Sequence, residues 1–126
     1  MIIDFRVRPP FQGYLKDYLF TNIEEIDQTL SPKYGAKTAA SARHRSLEEL
    51  VQEMEQLGVV KACVPIRRAD NIESTNQDLI DLLQLYPQQF VAMAGLDVQD
   101  TQASLLEIEQ YVVQGPCHGV LLEPSI

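Results

Sequence analysis

The sequence predicts an α/β fold in which parallel strands alternate with helices. Short apolar runs occupy residues 59–66, 90–96 and 119–122, and each follows a segment whose apolar residues recur at helical spacing. The runs are centred about thirty residues apart, which is the repeat of right-handed parallel βαβ units. With one more strand at the N-terminus, the order is β-α-β-α-β-α-β. A doubly wound open sheet and half of a closed barrel share this order, and periodicity alone leaves both open.

The first strand is predicted over residues 2–8 and stops at two prolines, Pro9 and Pro10. Its apolar positions are β-branched or aromatic, so we expect them to be buried. The alternate positions, Asp4, Arg6 and Arg8, are charged and share one face because side chains alternate along a strand. Such a face fits a strand that opens into a pocket, and it fits an exposed edge strand guarded by charges equally well.

This stretch resembles the first strand of the amidohydrolase-type metal-dependent hydrolases. In that family an Ile-Asp-x-His-x-His sequence places two histidines on a divalent metal, whereas here Arg6 and Arg8 occupy the matching positions. The resemblance is greatest to an uncharacterised subgroup whose strand reads Phe-Arg-x-Arg-Pro-Pro. It extends to the placement of strands and helices along most of the chain and to a Leu-Glu-Pro near its end.

The resemblance implies a fold and an activity. The fold is a TIM-type (β/α)8 barrel, of which this chain is the (βα)3β N-terminal half rather than an open sheet. A full-length relative is expected to hydrolyse or decarboxylate a small carboxylate-bearing substrate. At 126 residues the chain is far shorter than the ~250 residues of a typical closed barrel, so we expect it to be inactive alone.

Composition limits the remaining function classes. The formal net charge of −8 argues against nucleic acid or an anionic membrane as a partner. No apolar run reaches the ~20 residues of a membrane span and the N-terminus does not read as a signal peptide, so we expect a cytoplasmic protein. Cys63 and Cys117 form no Cys-x-x-Cys pair and are interpreted as small core residues.

The 126 residues divide into the first strand, a lid over 9–45 and βα units over 46–126, together one partial domain. The lid is too long for a simple turn. Within it, Thr21 and Glu24 have capping-box spacing for a short helix, and Ser31-Pro32 is expected to end that helix. Residues 33–45 lack periodicity, so mobility is expected there.

Three longer helices have clear start and stop signals. The first starts at Ser46, with Glu49 as capping-box partner, and stops at Gly58. The second runs from Ser74 or Thr75 to residue 86. The third is capped by Asp100 or Thr101, ends before residues 115–116, and carries apolar residues at helical spacing that include Leu105, Leu106 and Ile108.

The arginines point to the candidate binding site. None of them falls on a predicted helix, and in parallel α/β folds the positions they occupy share the C-terminal face of the sheet, where ligands bind. The six are Arg6, Arg8, Arg43, Arg45, Arg67 and Arg68. We predict that Arg6, Arg8 and Arg67 bind a small anion, carboxylate or phosphate, because a guanidinium group can donate two parallel N–H hydrogen bonds to such a group. The alternative is structural pairing of these arginines with Asp4, Asp70, Asp97 and Glu123 at the strand ends.

A metal site is not predicted within this chain. Arginine has donors and no acceptor, so Arg6 and Arg8 cannot replace imidazole ligands. Glu123 ends the last strand where the resemblance implies a metal ligand, and Asp4 is placed to support it; these two are the candidate catalytic residues. A divalent metal, zinc by the resemblance, is expected only with a C-terminal half. His44 and His118 have no spaced partner and are interpreted as structural or solvated.

Open sheet edges predict association. A half-barrel leaves its first and last strands without neighbours, and we expect the inward side chains of Val64, Ile66, Met93 and Leu122 to lose their opposite wall. The partner would be a second copy or the missing half-barrel. The competing function is therefore a non-catalytic structural module that self-associates.

Overall fold

The computed structural model describes residues 1–123, which form a four-stranded parallel sheet. Its strands are β1 (Ile2–Asp4), β2 (Val59–Pro65), β3 (Phe90–Gly95) and β4 (Gly119–Leu121). They are hydrogen-bonded in the order in which they occur in the chain. A doubly wound sheet reverses its strand order at a switch point, whereas successive strands of a (β/α)8 barrel are neighbours throughout. The observed order is that of the predicted half-barrel.

Helices connect the strands in two different ways. Between β1 and β2 the lid holds a 3-10 helix (Gln12–Lys16) and four short helices: α1 (Tyr18–Thr21), α2 (Ile23–Thr29), α3 (Ser31–Tyr34) and α4 (Ala40–Arg43). Longer helices α5 (Leu47–Leu57), α6 (Asn76–Leu85) and α7 (Thr101–Ile108) precede β2, β3 and β4. A π-helical turn, Glu109–Val113, continues α7. Within residues 1–123 no helix has the length and apolar character needed to cross a membrane.

The core lies between one face of the sheet and helices α5 and α6. Alternate residues of the two central strands are almost completely buried there: Ala62, Val64, Ile66, Phe90, Ala92 and Ala94. Leu79 and Leu82 of α6 are fully buried against them. The prediction that Val64 and Ile66 face the barrel interior is therefore wrong, because the strand alternation turns them toward the helices. Met93, on the opposite face, is partly exposed.

The structure confirms most of the predicted start and stop signals of the longer helices. The Ser46 hydroxyl accepts a hydrogen bond from the Glu49 N–H, and Gly58 ends α5 in the left-handed conformation at φ 71°. Only half of the predicted capping box forms, because the Glu49 carboxylate contacts Nδ1 of His44 at 2.8 Å. Thr75 forms a complete capping box at the start of α6.

Strand β1 is shorter and more exposed than the sequence predicts. Pairing stops at Asp4, whose carboxylate accepts a hydrogen bond from the Arg6 N–H at 3.2 Å, and it resumes only where the Val7 N–H donates to the Cys63 carbonyl. The predicted burial of its apolar side chains is wrong, since Ile3 is 55% exposed and Phe5 is 80% exposed. β1 lies at the edge of the sheet: it pairs with β2 on one side, and no strand among residues 1–123 pairs with it on the other.

The lid also departs from the prediction. Thr21 ends α1, and α2 starts after Asn22 without a side-chain cap, so the predicted Thr21 capping box does not form. Helix α2 does end at Thr29, directly before the predicted stop at Ser31-Pro32, and Pro32 then lies in the first turn of α3, where a missing N–H costs nothing. Arg43 lies on α4 although no helix was predicted there.

Helix α7 packs differently from the expected pattern. Leu105 is 62% exposed and Leu106 is 67% exposed, although both belong to the apolar spacing by which the helix is predicted. The buried residue of this helix is Ser104, whose hydroxyl donates to the Asp97 carbonyl at 2.7 Å. The sheet next to α7 ends at the short strand β4, which leaves much of the helix without a packing partner among residues 1–123.

Candidate functional site

Charged side chains from three strands meet at the carboxyl end of the sheet. Arg6 follows β1, Arg67 follows β2 and Glu123 follows β4. Arg6 Nη2 lies 2.7 Å from Glu123 Oε1, and Arg67 Nε donates to Glu123 Oε2. Each carboxylate oxygen therefore has one guanidinium partner. Residues separated by 117 positions in the sequence form one ion-pair cluster because the carboxyl ends of parallel strands meet at one edge.

The two arginines shift the acidity of the glutamate. Hydrogen bonds and charge from Arg67, and then from Arg6, lower the pKa of Glu123, while partial burial opposes them. The carboxyl is consequently ionised at neutral pH. The cluster is accessible to solvent, since the Glu123 side chain is 31% exposed and those of Arg6 and Arg67 are more so.

Arg8 stands beside this cluster and contributes to neither of its ion pairs. It is half-buried, and it forms no hydrogen bond or ion pair with any residue between 1 and 123. Together with Arg6, Arg67 and Tyr14 it lines a niche of only about 10 Å³ that also contains Asp17. Burial raises the pKa of Asp17, and the nearby charge of Arg8 partly offsets this. The niche is too small for a ligand while Glu123 holds the two arginines.

The remaining arginines are engaged elsewhere. Arg68 pairs with Glu107 of α7 at 3.2 Å, and Arg43 pairs with Asp27 of α2. Arg45 donates to the carbonyls of Leu15 and Phe20, which ties the start of α5 to the lid. These three arginines therefore stabilise the fold, and the predicted grouping of all six on one binding face is too broad.

A polar cleft of about 560 Å³ lies on the other side of Glu123. Asp70 and Asp97 line it with Glu123, and Arg68 is its only cationic lining residue among those described. The edge of the sheet is thus divided into a cationic side at Arg6, Arg8 and Arg67 and an anionic side at this cleft.

Two buried side chains that the sequence analysis missed hold the strand ends in place. The Tyr14 hydroxyl donates to the Pro65 carbonyl at 2.8 Å and fastens the lid to the end of β2. The Asn76 side-chain amide donates to the Gly95 carbonyl at 2.9 Å and accepts from the Gly95 N–H at 2.7 Å. The sequence signal for this contact is an asparagine in the first turn of a helix that follows a strand. The sequence does not identify the partner, Gly95, because it lies 19 residues away.

Close approach of the lid also depends on Gly13. A Cβ atom at this position would lie 2.6 Å from Cα of Ser74, which is backbone and cannot move aside. The 3-10 helix therefore lies directly against the loop before α6. This contact and the Tyr14 hydrogen bond explain why the lid covers the end of β2 at the site.

Asp4 does not take part in the cluster. It is exposed, it accepts from its own neighbour's backbone at Arg6, and it lines none of the three cavities described here. The predicted common face of Asp4, Arg6 and Arg8 is broken because the chain leaves the strand at Phe5. Glu123 pairs with Arg6 and Arg67, which is the contact expected under the alternative of structural ion pairing, and Arg8 adjoins them.

The residues present do not fit the divalent metal that the sequence resemblance implies. Both Glu123 oxygens already accept from arginines, whose positive charge would repel a cation. Among residues 1–123 there is no group of three histidine, cysteine or carboxylate side chains arranged to hold a metal ion. His118 is engaged in the sheet, where its Nδ1 accepts from the Ala92 N–H at 3.3 Å.

Comparison with known proteins gives one structural similarity. A crystal structure of an uncharacterized TIM-barrel protein from Bordetella bronchiseptica superposes with a TM-score of 0.76 and 27% sequence identity. The match covers 86% of this chain and 40% of that chain. No protein-family model and no curated protein matches the sequence. The similarity confirms the (βα)3β half of a TIM-type barrel; the amidohydrolase resemblance gains no support from it.

Proposed function

We propose that this chain is the N-terminal half of a TIM-barrel protein that binds a small carboxylate-bearing molecule at Arg6, Arg8 and Arg67. The observation that carries the proposal is the position of Glu123, whose carboxylate is held by two guanidinium groups from different strands. A site that accommodates one carboxylate has the geometry and charge to accommodate another. Carboxyl ends of barrel strands are also where this fold places its ligands.

Glu123 acts in this proposal as an internal counterion that an incoming anion displaces. Its side chain lies at the surface, so moving it into the adjoining polar cleft exposes no buried charge. Displacement frees Arg6 and Arg67, and Arg8 then joins them as a third donor. The pairing of Glu123 with arginine also keeps the cluster from binding cations, which suits an anion site.

The activity of the complete protein is a further part of the proposal. By the amidohydrolase resemblance, it hydrolyses or decarboxylates its substrate, with any divalent metal and the remaining catalytic groups supplied by the second half of the barrel. This chain then contributes substrate binding and is inactive alone. We place the protein in the cytoplasm, where the two free cysteines, Cys63 and Cys117, remain reduced.

Titration calorimetry with succinate tests the binding proposal. The double substitution Arg6→Met and Arg8→Met should abolish succinate binding while leaving the far-ultraviolet circular dichroism spectrum unchanged, because both side chains are at least partly exposed. Arg43→Met is the matched control, since this arginine pairs with Asp27 in the lid. Equal succinate affinity in the wild type and the double variant would contradict the proposal.

A second function, self-association, is favoured by the exposed apolar side chains at the sheet edges. Phe5 beside β1 is 80% exposed and Leu122 beside β4 is 57% exposed. Burial of apolar surface stabilises association by roughly 25 cal/mol per Å², and open strand edges pair readily. A second copy of this chain could cover both edges with twofold symmetry.

Multi-angle light scattering at micromolar concentration tests self-association. We expect a dimer or larger species, and Phe5→Lys should shift the mass toward that of the 14.2 kDa monomer by placing a charge at the edge. Leu57→Lys, an equally charged change at the exposed end of α5, should leave the mass unchanged. A wild-type chain that stays monomeric would exclude this function.

A further inference from the structure

Arg8 lines two cavities at once, and the second of them is unlike the niche beside Glu123. This second cavity, the lid cavity, has a volume of about 350 Å³, is open to solvent and is lined by residues of α1 to α4 together with Leu50 of α5. Its wall is largely apolar and includes Leu19, Phe20, Ile26, Leu30, Tyr34 and Leu50. That volume falls in the range of cavities that hold small organic ligands.

The charge of the lid cavity is opposite to that of the whole chain. Arg8 and Lys37 line it, and no aspartate or glutamate does, although the chain has a formal net charge of −8. Neither Arg8 nor Lys37 has an ion-pair partner in the described part of the chain. An apolar wall that includes two cationic side chains selects a molecule with an anionic head and an apolar body.

The serine and threonine hydroxyls of the wall already have hydrogen-bond acceptors within the protein. The Ser31 and Thr38 hydroxyls both donate to Asp27 Oδ1, and the Ser41 hydroxyl donates to Glu53. These groups therefore do not require water or a polar ligand. What the cavity leaves available is apolar surface, the two cationic side chains and the Tyr34 hydroxyl.

We propose that the lid cavity binds the aliphatic tail of a medium-chain carboxylic acid whose carboxylate lies on Arg8, with Lys37 as a second positive charge. The inference deepens the proposed function and rests on it, since Arg8 belongs to the same anion-binding cluster. It assigns to the lid the selection of the substrate's apolar portion. The arginine cluster selects the carboxylate.

A chain-length series measured by titration calorimetry tests the inference. Acetate, butyrate, hexanoate and octanoate should bind with affinity that increases about fourfold per methylene, the factor that corresponds to ~0.8 kcal/mol per buried CH₂. Hexanol should bind at least about tenfold more weakly than hexanoate, because a charged hydrogen bond to Arg8 is lost. Succinate serves as the ligand that needs the arginines but not the lid cavity.

Two variants locate the tail. Leu30→Gln makes the wall polar and Ala36→Trp fills the cavity; both positions are exposed enough to change without unfolding the chain. Each should reduce octanoate affinity at least about fivefold and leave succinate affinity within about twofold. Leu105→Gln, the same substitution at an exposed leucine of α7, is the matched control and should alter neither.

The outcomes separate this inference from the proposed function. If succinate binds but octanoate binds no more tightly than butyrate, the lid cavity does not hold the tail and only the present inference is overturned. Octanoate binding that is equally strong in Leu30→Gln, Ala36→Trp and the wild type overturns it too. If neither succinate nor any monocarboxylate binds, the anion site itself is wrong and the inference falls with it.

Discussion

Replacing Glu123 by glutamine is the perturbation that most clearly separates an anion-binding cluster from a structural ion-pair cluster. The substitution keeps the size and shape of the side chain but removes its charge. If Glu123 is a counterion that ligands displace, Glu123→Gln removes the competitor and small carboxylates should bind more tightly. If the cluster serves only to hold strand ends together, the variant loses stability and gains no affinity.

The expected magnitude follows from the exposure of the cluster. Glu123 forms two ion pairs, and its arginine partners have side chains that are 52% and 41% exposed. Ion pairs at such surfaces contribute about 0.2–1 kcal/mol each. Removing both should release about 1 kcal/mol of competition, which corresponds to roughly a fivefold gain in succinate affinity. The fold should lose a similar amount of stability.

Calorimetry of succinate binding and thermal unfolding at two pH values measure both effects. The pKa of Glu123 is lowered in the folded state, so its stabilising contribution is present at neutral pH and is lost as the pH falls through that lowered value. The stability difference between wild type and Glu123→Gln should therefore disappear in acid. Unchanged or weaker succinate affinity in the variant would refute the displacement argument.

Three further changes test how the strand ends and the lid are held. Asn76→Ala should cost about 2–5 kcal/mol in the free energy of unfolding by chemical denaturation, because both backbone groups of Gly95 lose a buried partner; a cost below about 1 kcal/mol would contradict this. Tyr14→Phe should lower the free energy of unfolding by about 1–2 kcal/mol in the same assay, because the Pro65 carbonyl loses its hydrogen bond; an unchanged denaturation midpoint would contradict this role of Tyr14. Burial raises the pKa of Asp17, so its ionised form opposes folding above its unfolded pKa and the opposition is relieved as the pH falls. Asp17→Asn should accordingly raise the melting temperature at neutral pH and give little gain in acid; equal gains at both would argue against this sign.

The sequence predicts the βα repeat well because local signals mark each boundary. Ser46, Gly58 and Thr75 act through contacts with residues at most a few positions away, and such contacts are visible in the sequence. The lid was harder to predict because its helices are held by distant partners. Asp27, for example, accepts from the N–H and hydroxyl of Thr38 and pairs with Arg43.

Burial was predicted less well than secondary structure, because it depends on the position of each strand and helix in the sheet. Ile3 and Phe5 have the composition of a core strand but lie at an edge. Leu105 and Leu106 have helical spacing but lie where the sheet ends, and both are exposed. Apolar periodicity identifies the face that needs a partner; whether the partner is present is a property of the tertiary structure.

The candidate site was predicted in part. Parallel-strand topology brings Arg6, Arg67 and Glu123 to one edge, and this follows from the order of elements alone. The break at Phe5 that removes Asp4 from this group has no signal in the alternating pattern. Asn76 and Tyr14 position the strand ends through partners 19 and 51 residues away, a kind of contact that a single sequence does not reveal.

An experimental structure of the protein crystallised with succinate tests the central claim most directly. The anion-binding account predicts that a succinate carboxylate lies between Arg6 and Arg67, that Arg8 donates to it, and that Glu123 has moved into the adjoining polar cleft. An unchanged Glu123 pairing with both arginines at saturating succinate, with no ligand between them, would contradict the account and leave the cluster as a structural ion-pair network.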